Sequence, residues 1–173
     1  SFCGETGLSL HLDGARLFNA CVKQNVGVLE ISQHYDSVSL CISKGLGAPV
    51  GSVLVGSHEL IKEARKWRKM LGGGMRQAGY LAAACHYALE NNVQRLAEDH
   101  ANARLLAEGL SVVPGIVCDP ASVQTNMVFI TLDSAETAEQ LREFLAGEGI
   151  AVLGGQVMRL VTHMDVDADS VNL

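Results

Sequence analysis

The chain has 173 residues, 48% hydrophobic and 18% charged, enough apolar material for one packed domain or one domain with part of another. A net charge of −6 argues against a nucleic-acid surface, which needs clustered Lys and Arg; the longest basic stretch, residues 62–69, alternates with apolar residues and a Glu as one face of a helix would. No apolar run reaches the roughly 20 residues that span a bilayer, and the opening Ser-Phe-Cys-Gly-Glu resembles no signal or transit peptide.

The five cysteines, Cys3, Cys21, Cys41, Cys85 and Cys118, are odd in number, scattered and without a C-x-x-C pair, so neither a disulfide framework nor a zinc site is indicated. In apolar surroundings they read as small hydrophobes in a reducing compartment, cytoplasmic or the mitochondrial matrix. The six histidines show no H-x-x-x-H spacing, so no metal site is expected. The chain lacks an initiator Met and is expected to be a fragment.

In chain order, residues 8–12 form a short apolar run read as a buried strand, ending at Asp13-Gly14. Residues 15–24 have helical spacing through Leu17, Ala20 and Cys21. Residues 37–42 give a second strand, running into a segment at 43–49 too rich in Gly and Pro to continue it. Residues 51–56 read as a third strand, and Ser57 as the N-cap of a helix reaching about Met70. Gly72-Gly73-Gly74 breaks that helix, and residues 76–110 read as two helices meeting near Asn91-Asn92. The last third supplies strands at 114–117, 126–132 and 157–162, with an amphipathic helix at 135–147 presenting Ala138, Leu141, Phe144 and Leu145 on one face. The alternation predicts an α/β architecture followed by a smaller α+β portion.

Four features could carry chemistry. Asp13 closes an apolar strand, where ligands collect in open α/β sheets, or it caps the helix starting near Ala15. Lys44 follows a buried strand between Ser43 and Gly45; it is either a solvated loop residue or an amine held near a site on a mobile backbone. The G-x-x-x-x-G-K-[ST] order of a phosphate loop is absent around it. Gly72-Gly73-Gly74 is a plain helix-to-helix turn or a close backbone approach, with Lys69 and Arg76 flanking it and able to bind an anion together. Arg159 stands among apolar neighbours, either on the solvent face of an edge strand or turned into a pocket to clamp a carboxylate.

Taken together and in order, H-L-D-G-A-R-L-F-N-A at 11–20, D-S-V-S-L-C-I-S-K-G-L-G-A-P-V-G-S at 36–52, R-K-M-L-G-G-G-M-R-Q at 68–77 and R-L-V-T-H-M-D-V at 159–166 resemble the low-specificity L-threonine aldolases. The resemblance covers nearly the whole chain. It implies the fold of type I pyridoxal-phosphate (PLP) enzymes, related to aspartate aminotransferase: a large α/β domain with a mainly parallel seven-stranded sheet, then a small C-terminal α+β domain. Residues 1–90 would be the C-terminal part of the large domain. Residues 91–173 would be a linking helix and the small domain, incomplete at its end.

By the same resemblance Lys44 is the lysine that holds PLP covalently, Asp13 pairs with the pyridine nitrogen, and Arg16 lies near the ring's phenolic oxygen. Arg159 grips the substrate carboxylate, while Lys69 and Arg76 line the site near a subunit boundary. The implied reaction is retro-aldol cleavage of L-threonine or L-allo-threonine to glycine and acetaldehyde. The implied partners are an amino-acid substrate and further copies of the chain, in a homodimer or homotetramer with sites at the dimer interface; neither nucleic acid nor membrane is expected. The family's phosphate-binding residues and ring-stacking His precede the H-x-D-G-A-R motif and cannot be placed in the ten residues before His11. Two other readings stay open: another type I lyase performing β-elimination on aromatic amino acids, and a non-catalytic truncated remnant.

Overall fold

The computed structural model describes residues 2–172. The chain divides into two compact units, Ser1–Arg95 and Leu96–Leu173.

In the first unit a short helix α1 (Phe2–Thr6) precedes β1 (His11–Gly14), α2 (Leu17–Gln24), α3 (Val28–Ser32), β2 (Ser37–Cys41), β3 (Ser52–Gly56), α4 (His58–Met70) and α5 (Gly79–Asn91). The strands form one sheet in the order β1-β2-β3. β1 and β2 run parallel with Asp13 opposite Ser39, whereas β2 and β3 are antiparallel with Cys41 opposite Ser52. The expectation of a parallel-type sheet therefore holds for one of these two pairings. The segment from Cys41 to Ser52 is too short for a crossover helix, so β3 must return antiparallel.

Strand alternation sorts the two faces of the sheet. Leu12, Val38 and Leu40 turn to one side and pack with Leu17, Cys21, Val28, Ile31 and Tyr35 of the α2–α3 region. That small core explains why Ser37-Val38-Ser39-Leu40-Cys41 alternates polar with apolar: the other face carries Ser39 and Cys41. The first strand begins three residues later than the apolar run suggested. Leu8 is exposed, its N–H closing the end of α1 on the Cys3 carbonyl at 3.0 Å.

α4 begins as expected at Ser57, whose hydroxyl accepts from the Leu60 N–H at 3.2 Å. Its end resolves the glycine run. Gly72 is left-handed (φ 85°), with the Gly73 N–H on the Arg68 carbonyl at 2.8 Å and the Gly72 N–H on the Lys69 carbonyl at 3.2 Å. This is a Schellman stop, which satisfies two of the helix's last carbonyls. Asn25 ends α2 in the same way, at φ 54°.

The second unit contains α6 (Leu96–Leu110), β4 (Ile116–Val117), a 3-10 turn at Pro120–Ser122, β5 (Met127–Leu132), α7 (Ala135–Gly147), β6 (Val157–Val161) and α8 (Ala168–Val171). β4-β5-β6 is antiparallel throughout. Val128, Ile130, Leu132 and Met158 face inward against Ala103 and Ala107 of α6 and Ala138 of α7. The alanines, four apart on α6, let the helix approach the sheet closely. Each large aliphatic buried this way contributes roughly 1.5–3 kcal/mol.

α7 occupies the predicted span, and Ser134 caps it by accepting from the Thr137 N–H at 3.1 Å. Phe144 departs from expectation: it is exposed, while Ala138, Leu141 and Leu145 form the inward stripe. At 100° per residue Phe144 falls beyond the edge of that stripe. The short helices α1, α3 and α8 were not anticipated, since four or five residues show no full hydrophobic period.

Candidate active site

Asp13 is the last side chain of β1 before buried Gly14, and it lies on the sheet face opposite the Leu17–Val38 core. Its carboxylate is exposed and accepts from the Ala15 N–H at 3.2 Å. It does not cap α2, which starts at Leu17 with Arg16 in the cap position and no side-chain cap bond. Arg16 is half-buried in the turn that follows the strand.

Lys44 stands three residues beyond the end of β2. Its side chain is exposed and belongs to no ion pair among the described residues. The backbone beneath it is not mobile in the sense expected from its Gly-rich context. The Lys44 carbonyl accepts from the Gly47 N–H at 2.8 Å, closing a turn in which Gly47 is left-handed (φ 76°). The Ile42 N–H donates to the Gly51 carbonyl at 2.9 Å, and the Ala48 N–H to the Ile42 carbonyl at 3.3 Å. Asn92, just past α5, donates to the Leu46 carbonyl at 2.8 Å. Ile42, Leu46 and Ala48 are buried. A solvent-facing amine thus rides on an anchored turn.

Because β1 and β2 are parallel neighbours, Asp13, Arg16 and Lys44 all emerge at the carboxyl edge of one sheet. Ligands bind there in open α/β folds, outside the carboxyl ends of the strands. Two further groups line this polar face, Ser39 opposite Asp13 and Cys41 opposite Ser52. Sequence reasoning passed them over; the period-2 alternation of residues 37–41 is the signal that finds them. The Cys41 sulfur lies 3.4 Å from the Ser43 hydroxyl. Burial pushes the Cys41 thiol up, but hydrogen bonding with Ser43, the Lys44 charge and hydrogen bonding with Ser52 outweigh it and hold the thiol below its ordinary value. Burial has the opposite net result at Cys21 and Cys118, which are pushed up.

Lys69 and Arg76 are exposed on either side of the Gly72 turn. A Cβ on Gly74 would lie 2.6 Å from the Lys69 Cδ, so glycine there lets the Lys69 stem lie along the chain. Gln77, next to Arg76, takes a left-handed backbone (φ 49°), a conformation uncommon outside glycine.

Arg159 belongs to the second unit. It lies on edge strand β6, opposite Phe129 of β5, and points away from the Val128–Met158 core. Its side chain is exposed among the described residues.

The beta-eliminating lyase family matches residues 1–133. The chain belongs to that family. It is 48% identical over 170 residues to the low specificity L-threonine aldolase of Escherichia coli K12, covering 98% of this chain and 50% of that protein. It is 47% identical over 170 residues to low-specificity L-threonine aldolase 1 of Arabidopsis thaliana, covering 96% of this chain and 48% of that protein. The chain thus spans about half the length of the curated relatives it matches.

Among solved structures, one from Exiguobacterium sp. 255-15 carries a name pairing aromatic amino acid beta-eliminating lyase with threonine aldolase. It superposes with a TM-score of 0.79 at 26% identity, over 99% of this chain and 49% of that one. The α/β arrangement is therefore that of the type I PLP-enzyme class, as the sequence motifs implied. No helix among the described residues is long and apolar enough to cross a membrane.

Proposed function

We propose that this chain is the Lys44-bearing part of a PLP-dependent aldehyde-lyase that cleaves the Cα–Cβ bond of β-hydroxy-α-amino acids, with L-threonine and L-allo-threonine as substrates. The observation that carries this reading is the emergence of Asp13 and Lys44 from adjacent parallel strands at one sheet edge, in a chain so similar to named threonine aldolases.

The residues present suit the cofactor. PLP offers an aldehyde, a ring nitrogen that can carry a proton, and a phenolic oxygen. The edge offers an exposed primary amine on a rigid turn, an exposed carboxylate one strand away, and a guanidinium three residues beyond that carboxylate. In the proposed site Lys44 would hold the cofactor through its amine. The Asp13 carboxylate keeps a proton on the ring nitrogen, since a nearby negative charge favours the protonated form. Arg16 stands by the phenolic oxygen. Arg159 fixes the substrate by its carboxylate with a two-pronged hydrogen bond, and Lys69 and Arg76 line the approach. When bound, PLP supplies an electron sink for the pair released as the Cα–Cβ bond breaks. The products are acetaldehyde and glycine, whose Cα takes up a proton.

Assembly with further copies, as a homodimer or homotetramer, is part of the proposal. β3 exposes Val53, Leu54 and Val55, while Trp67, Tyr80 and Tyr87 are exposed on α4 and α5. Large apolar side chains exposed on successive elements favour association.

The test is release of acetaldehyde from L-threonine by the full-length protein carrying this chain, supplied with PLP. Activity lost in Lys44→Ala supports the reading; activity that survives it refutes it. The family name, with the name carried by the Exiguobacterium structure, favours one second reading, β-elimination from an aromatic amino acid. Pyruvate from tyrosine, without acetaldehyde from threonine, would establish that instead.

A further inference from the structure

The second unit contains a buried polar cluster that the proposed mechanism does not use. Thr162, immediately after β6, is 2% exposed and Asn126, immediately before β5, is also 2% exposed. The Thr162 N–H donates to the Asn126 carbonyl at 3.1 Å, and the Asn126 side-chain amide donates to the Thr162 carbonyl at 3.0 Å. The Thr162 hydroxyl donates to the main-chain carbonyl of Asp99, in the first turn of α6, at 2.6 Å. One residue thus binds a neighbouring strand end through its backbone and a helix through its side chain.

Two observations set this cluster apart from ordinary packing. Among the described residues β6 is an edge strand, its ladder bonds lying on one side, and the Thr162–Asp99 bond ties its end to a second element. In addition, the Asn126 Oδ1 is buried without a hydrogen-bond partner, a cost comparable to losing a hydrogen bond. An apolar side chain would avoid that cost but would take the amide donor from the buried Thr162 carbonyl, so the amide at this position is tied to holding the strand end. Arg159 lies three residues before Thr162 on the strand so anchored.

We infer that Thr162 and Asn126 are positioning residues for Arg159. They fix the end and direction of β6, so that the guanidinium is held at one place on the exposed face rather than swinging with a loose edge strand. This rests on the reading that Arg159 binds the substrate carboxylate. A bidentate contact depends on placement, and weakening a contact made equally to substrate and transition state raises KM with kcat unchanged.

The experiment uses the full-length, PLP-loaded protein carrying this chain, with Arg159→Gln, Thr162→Val, Thr162→Ser, Asn126→Ala and the Arg159→Gln/Thr162→Val double variant. KM and kcat for L-threonine are measured alongside hydrogen exchange of the β6 amides. Thr162→Val is expected to raise KM roughly tenfold with kcat within about twofold, the size expected of one buried hydrogen bond. It should also speed exchange in β6. Thr162→Ser, which keeps the hydroxyl, should restore both. On top of Arg159→Gln, Thr162→Val should add less than about twofold, because coupled residues are not additive.

Arg159→Gln leaving KM unchanged removes the carboxylate reading and this inference with it. Arg159→Gln raising KM while Thr162→Val does not, or the two effects multiplying in full, overturns the inference alone. Should Thr162→Val fail to fold, Asn126→Ala is judged by the same outcomes.

Discussion

Asp13 and Lys44 leave the sheet from the same edge because β1 and β2 run parallel, with Asp13 level with Ser39 and Lys44 three residues past the end of β2. The pairing makes a clear prediction for Lys44 itself. Its side chain is exposed and forms no ion pair among the described residues, so Lys44→Ala should leave the melting temperature within a few degrees of wild type. Activity in the full-length protein should nevertheless fall by roughly a thousandfold or more, as when a covalent catalytic group is removed. Circular dichroism and the acetaldehyde assay together check this. A large loss of stability would give Lys44 a structural role that its surroundings do not show.

Gly14 makes the second prediction. A Cβ there would sit 2.7 Å from the Ser39 carbonyl oxygen and 3.3 Å from both Leu17 Cβ and Leu40 Cδ2. Backbone cannot retreat as a side chain can, so Gly14→Ala should push β1 from β2 and destabilise by about 1–3 kcal/mol. Urea unfolding measures it. Asp13 would move with the strand, so PLP affinity should weaken in the same variant.

The Schellman stop gives a contrast between two glycines. Gly72 has open space around it but a left-handed backbone, whereas Gly79, first residue of α5, has open space without that constraint. Gly72→Ala should therefore cost about 1 kcal/mol and Gly79→Ala should be neutral or slightly stabilising. Equal effects in the two variants would contradict the cap assignment.

Cys41 offers a pH-dependent test of the site's electrostatics. Its thiol is held below the ordinary value by hydrogen bonding and by Lys44 despite burial, while Cys21 and Cys118 are pushed up. The thiolate is the reactive form. At neutral pH iodoacetamide should label Cys41 ahead of those two, with a midpoint on the acid side of a free thiol. Because its folded value is lowered, the Cys41 thiolate adds stability above its unfolded value, and that gain is lost as pH falls through the folded one. Lys44→Met removes one of the lowering influences, so labelling of Cys41 should slow and its midpoint rise. Peptide mapping by mass spectrometry reads both.

Much of the fold was legible because its signals are local. Ser57 and the 135–147 helix announce themselves through caps and 3.6-residue spacing, and the alternation at 37–41 sets both faces of β2. What stayed hidden depends on tertiary partners. The antiparallel return of β3, the tie from Asn92 to Leu46 across 46 residues, and the Thr162–Asp99 bond across 63 have no neighbouring signature. The rigidity beneath Lys44 is of this kind: glycines around it suggest looseness, and only distant groups make the turn firm. Arg159 illustrates the same limit, since its spacing does not choose between pocket and solvent; the sheet fixes only its place opposite Phe129, on the face away from the Val128–Met158 core.

The proposed anchoring of the cofactor by Lys44 is checked by treating the PLP-loaded full-length protein with borohydride, digesting it, and locating the phosphopyridoxyl group by mass spectrometry. The group is expected on Lys44 within the Ser43–Gly47 turn. Attachment at any other lysine, or unmodified Lys44 in protein that has taken up PLP, would contradict the account.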